Sequence, residues 1–108
     1  MTDTLFDLQP ARPEWALPGD RLADAWWDFH LAHPDVYAEL RRRALLLVAQ
    51  GHTHLGMKML WEVIRYHTML GAGRPRLNNN HTALYARLLM DSEPDLAGVF
   101  ETRERAVA

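Results

Sequence analysis

Cysteine is absent from these 108 residues, which removes disulfide frameworks, thiolate zinc sites and cysteine nucleophiles together. Serine occurs once, at Ser92, where it begins a turn before Pro94 rather than a nucleophile elbow. No apolar run approaches the roughly 20 residues of a membrane span. The first stretch, MTDTLFDLQP, is acidic where a secretion signal carries positive charge, so a cytoplasmic setting is expected. The glycines of GAG at 71–73 open no helix after a strand, as a phosphate-cradling loop would. Six histidines are present, but His30/His33 and His52/His54 match no finger spacing and HExxH is missing. The expectation is therefore a binding protein, not an enzyme, with no metal and no cofactor.

What the sequence does have is segregated charge. Residues 1–40 hold eight acidic groups against Arg12 and Arg21, whereas residues 41–87 hold eight basic groups against Glu62 alone. Residues 88–108 are acidic again, with five acids and two arginines. Although the formal net charge is −2, local fields decide what a surface attracts, and the middle of the chain is strongly positive. The competing reading is that the acidic ends fold back and neutralise that middle.

The length fits one domain, and its composition, 48% hydrophobic and 24% charged, suits a soluble fold. Pro10, Pro13 and Pro18 break periodicity over 1–18, which reads as a loosely ordered arm with Trp15 as a docking anchor. Asp20 suits the N-cap of a helix through about Ala32, with Leu22, Trp26 and Phe29 at helical spacing. His30 reads as a satisfied, half-buried histidine. Pro34 stops that helix and opens a second, Val36–Leu40–Ala44–Leu47, which Gly51 ends. A third helix spans about 56–70 through Met57, Leu60, Trp61 and Ile64, with Lys58, Glu62 and Arg65 on the wet face. A fourth runs from the asparagines to about Asp91, and a short helical turn follows Pro94. The expected fold is all-α, a compact four- to five-helix domain over 19–100 with a tail over 101–108. A short β wing over 72–78 is the one strand it leaves room for.

The stretch LNNNHTALYARLL, 77–89, raises a specific question, because only one of Asn78, Asn79 and Asn80 can cap the helix that follows. Turning that helix by ~100° per residue sends Leu84, Tyr85, Leu88 and Leu89 inward and Ala83, Ala86, Arg87 and Met90 outward. Small residues beside an arginine, entered through amides, suit a major groove, where Asn pairs with adenine, Arg with guanine and Ala meets the thymine methyl. With the 56–70 helix as brace, the pattern is a variant helix-turn-helix with a long connector. Asn78, Asn79, Asn80, His81, Ala83 and Arg87 are then the candidate base contacts. Arg41, Arg42, Arg43, Lys58, Arg65, Arg74 and Arg76 are the candidate phosphate contacts, a basic collar for nucleic acid, DNA before RNA. Leu45, Leu46 and Met90 are available for a homodimer seam, which a palindromic site would need.

FH…HPDVYAEL, LWEVIRYH and LNNNHTALYARLLM…EPDLAGVFETR resemble, over about residues 29–105, a group of small proteins of phages and prophages. The resemblance implies a shared fold and a mobile-element setting, where regulating phage genes or countering a host system are the expected roles. It carries no settled activity. A rival of another class remains open beside it. Adjacent Trp26 and Trp27 cannot both point inward from one helix, so Trp27, with Trp15 and the acidic arm, would offer a surface to a protein partner.

Overall fold

The computed structural model describes residues 11–69 and 75–101. Four α-helices account for most of them: α1 (Arg21–Ala32), α2 (Pro34–Ala49), α3 (Met57–Met69) and α4 (Thr82–Ser92). Two 3₁₀ turns, Asn79–His81 and Pro94–Leu96, flank α4. Local chemistry sets the boundaries. The Asp20 side chain accepts from the Ala23 N–H and caps α1. Pro34 excludes α-conformation from His33 and supplies the first residue of α2. At the far end of α2, Gly51 sits at φ +103°, its N–H bonding the Val48 carbonyl and that of His52 the Leu47 carbonyl. That double closure is a Schellman motif, and its left-handed residue is why a glycine stands there.

α2 packs on α1, α3 and the Pro94–Leu96 turn, and α3 packs on α4. The interior where they meet is aromatic. Trp26 and Trp61 are both fully buried, and each meets the Tyr85 ring, at 5.6 Å and 5.5 Å between centroids. Rings of this size each remove some 150–250 Å² from water, so this cluster dominates the folding drive. Val99 and Phe100 close it from below: the Leu55 N–H bonds the Val99 carbonyl, and Leu55 and Phe100 form a single parallel bridge.

Several expectations change here. Among the described residues no strand forms, and residues 75–78 run as irregular chain, so the expected wing is not found there. The described half of the arm is folded rather than loose. The Ala16 N–H bonds the Pro13 carbonyl, Arg12 reaches both the Ala16 carbonyl and Asp24, and Ala16 is buried. Residues 1–10 and the tail after Glu101 lie outside the described residues. Among the described residues, no helix is long and apolar enough to cross a membrane.

Candidate nucleic-acid interface

The three asparagines have three different duties. The Asn78 side-chain oxygen accepts from the Asn80 N–H, which makes Asn78 the cap of the 3₁₀ turn. The Asn79 oxygen accepts from the Arg65 guanidinium, and its backbone carbonyl accepts from the Thr82 hydroxyl. Asn80 is exposed, and its side chain bonds no described residue. Both Asn78 and Asn79 spend their oxygens on the fold, and neither NH₂ group donates to a described residue.

Arg65 organises the ground beside them. From the wet side of α3 it reaches Glu62, the Leu77 carbonyl and Asn79, tying the start of α4 to the end of α3. Leu77 is buried just behind. Between these elements lies an open groove of about 440 Å³ lined by Arg65, Arg76, Leu77, Asn78 and Asn79. Two guanidinium groups and two amides line it, with no carboxylate. Arg76 is exposed and pairs with no described acid, and Lys58, two turns before Arg65 on the same strip of α3, is likewise exposed and unpaired among the described residues. Arg74, the remaining loop candidate, lies outside the described residues.

The rest of the expected site does not gather at this groove. His81 is 4% exposed and packs on Phe29 at 5.4 Å; burial lowers its pKa, so it is a neutral core residue and not a base contact. The inserted 3₁₀ turn rotates it inward ahead of the α-helix proper. Ala86, expected outside, is buried, and Met90 is half-buried against the core. The outer strip of α4 is accordingly narrow: Ala83, Arg87 and Asp91, one residue per turn. Its second half is occupied. The Trp15 indole N–H donates to Asp91 at 2.6 Å, and the Arg87 guanidinium lies 4.5 Å from the centre of the Trp15 ring. Trp15 itself stacks on Trp26 at 5.7 Å.

The expected collar contracts as well. Arg41 is held by Glu93, while Arg42 and Arg43 share Glu39. Hydrogen bonding from Arg42 is the main reason the Glu39 carboxyl stays ionised below its usual range. The C-terminal acidic flank folds onto the basic middle at Arg41, whereas Glu39 pairs with Arg42 and Arg43 along its own helix, at i+3 and i+4. Of the residues named for the rival surface, Trp15 is engaged as above, and Trp27 is half-buried beside Trp26 and His30. Neither is presented.

Periodicity passed over one surface. Met59, Tyr66 and Met69 are 52%, 61% and 77% exposed on the outer arc of α3. Turning α3 by ~100° per residue places them among Lys58 and Glu62, away from the buried Met57, Leu60, Trp61 and Ile64. That rotation was the available signal: the helix is apolar on both sides. Beneath all of this, His30 is fully buried among Trp26, Trp27, Tyr37 and Tyr85, with neither ring nitrogen hydrogen-bonded. Burial holds it neutral, with its pKa pushed down to about 4. It is an unsatisfied core histidine, not the satisfied, half-buried one expected.

Among the described residues, no group of three or more His, Asp or Glu side chains is placed to hold a metal ion. The chain matches no family model, no curated protein and no solved structure.

Proposed function

We propose that this chain binds nucleic acid through the rim formed by Lys58, Arg65, Arg76, Asn78, Asn79 and Asn80. The observation that carries the reading is the groove itself, where Arg76, unpaired among the described residues, and two amide side chains converge with Arg65, which Glu62 holds from outside the lining. Cations of this kind hold phosphates, and amide NH₂ groups take base or sugar acceptors. The N-terminal end of α4 opens beside it, where the helix dipole favours an anion. Ala83, on the exposed first turn of α4, leaves room for close approach. A mobile-element setting, with a role in gene control, is part of the same proposal.

Fluorescence anisotropy with random-sequence DNA and RNA at two salt concentrations tests it. Binding should weaken steeply with salt, and Arg76→Ala should lower both the affinity and the salt slope, the latter by about one. Absence of binding at low salt would sink the reading. A second reading has one observation in its favour: Met59, Tyr66 and Met69 expose apolar surface on α3, which suits a protein partner. Under it, Tyr66→Ala would abolish capture of that partner while Arg76→Ala would leave it intact.

A further inference from the structure

Three features bear on which form of nucleic acid the rim would accept. The first is what is missing for a duplex. Reading a major groove takes a projecting helix flanked by phosphate contacts on both sides. Here the outer strip of α4 is one residue wide, and the two side chains of its second half are engaged with Trp15, Arg87 over the ring and Asp91 accepting from the indole N–H. Arg41, Arg42 and Arg43, which would have held the flanking phosphates, are paired to Glu93 and Glu39.

The second feature is concavity. Arg76, unpaired among the described residues, and Arg65, shared with Glu62, line a shallow open groove, and a flexible backbone follows a groove more readily than a rigid duplex does. The third is the exposed aromatic. Tyr66, one position after the groove-lining Arg65 and ~100° further round α3 with Glu62 between them, is 61% exposed on the outer arc beside the groove's edge. His67 stands edge-on to it at 5.6 Å. A solvent-facing ring is costly to leave uncovered, and base stacking covers one without regard to sequence. Splayed bases also present the edges that Asn78 and Asn79 have NH₂ groups left to bond.

We infer that the preferred ligand is single-stranded nucleic acid, with a backbone phosphate between Arg65 and Arg76 and an adjacent base stacked on Tyr66. This rests on the nucleic-acid reading above and narrows it. The experiment is anisotropy with labelled oligothymidylate and oligouridylate, and with a duplex of the same length, on the full chain and on Tyr66→Ala, Tyr66→Phe and Arg76→Ala. Circular dichroism checks that each variant folds, which the exposure of both side chains favours. Single strands should bind at least tenfold more tightly than the duplex. Tyr66→Ala should weaken single-strand binding by about tenfold, and Tyr66→Phe, which keeps the ring, should restore it. A duplex bound as well as or better than the single strands, or indifference to Tyr66→Ala, would overturn this inference and leave the broader reading standing. No binding of either form would overturn both.

Discussion

The two ends of α4 make opposite use of the same helix. At its start the chain is open: Asn78, Asn79 and Asn80 are exposed, and a groove with two arginines lies alongside. At its end, Trp15 comes back across 76 positions of sequence to bond Asp91 and seat the Arg87 guanidinium on its ring. The floors differ too. The open end rests on His81 against Phe29, and the covered end on Trp26, which meets His30 on one side and Trp15 on the other. A narrow helix in a small protein thus keeps one end for solvent and gives the other to the core. Arginine on such a helix does not by itself mean a contact to something outside.

Acid is the strongest way to break the covered end. His30 is held neutral with a pKa of about 4, whereas in the unfolded chain it takes a proton near 6.5. The folded state therefore binds fewer protons than the unfolded state between these values. The contribution is complete above about pH 6.5, is lost as pH falls towards 4, and levels off below that. The loss should be on the order of 3 kcal/mol. Urea denaturation at pH 7.5 and pH 4 measures it, and His30→Phe should flatten the dependence. A pH-independent midpoint in the parent chain would remove the buried neutral histidine from the account.

Next in size is Trp15→Ala, which removes the stack on Trp26, the Asp91 bond and the ring on which the Arg87 guanidinium sits. For a half-buried tryptophan the expected loss is about 2 kcal/mol, below the range for a full core ring. It should also raise nucleic-acid affinity modestly, because Arg87 is released. Smaller again is the contrast within the open end. Asn78→Ala deletes a cap and should cost about 1 kcal/mol. Asn80→Ala removes an exposed side chain that hydrogen-bonds no described residue and should cost under about 0.5 kcal/mol. Equal losses for the pair, read by thermal denaturation, would erase the division of labour among the asparagines.

The sequence was most legible where structure is decided within a few residues. Asp20 at a cap, Pro34 at a helix start and Gly51 at a helix end all act on their own neighbours, so their chemistry can be read directly. So can most of the inward faces of α2 and α3, whereas in α1 the buried set is Ala23, Trp26 and His30, with Leu22 and Phe29 only half-buried. The charge pattern was legible as a pattern and only partly as a surface: the Glu39 pairs with Arg42 and Arg43 are local to one helix, but the partner of Arg41 comes from elsewhere. Glu93 meets Arg41 across 52 positions, and no periodicity reports such a pairing. The face of α4 failed for a related reason. Its buried arc is wider than that of a helix packed on one side, since α3, the Pro94–Leu96 turn and Trp15 all surround it. Ala86 is consequently inside, and a small residue there is a packing choice rather than an allowance for a ligand. Exposed Tyr66 escaped notice because a tyrosine in a helical pattern is ordinarily assigned to the core.

One small feature has a kinetic meaning. The helices here form contacts mostly with their neighbours along the chain, the arrangement that lets helical domains fold fast. The bridge from Leu55 to Phe100 does not: it closes a long loop containing α3 and α4. Bringing such ends together costs about 3 kcal/mol of chain entropy before any contact rewards it. That seal belongs late in folding. Until it closes, Leu55, Val99 and Phe100 are wet, and the partly assembled chain carries a sticky apolar edge that the finished domain conceals.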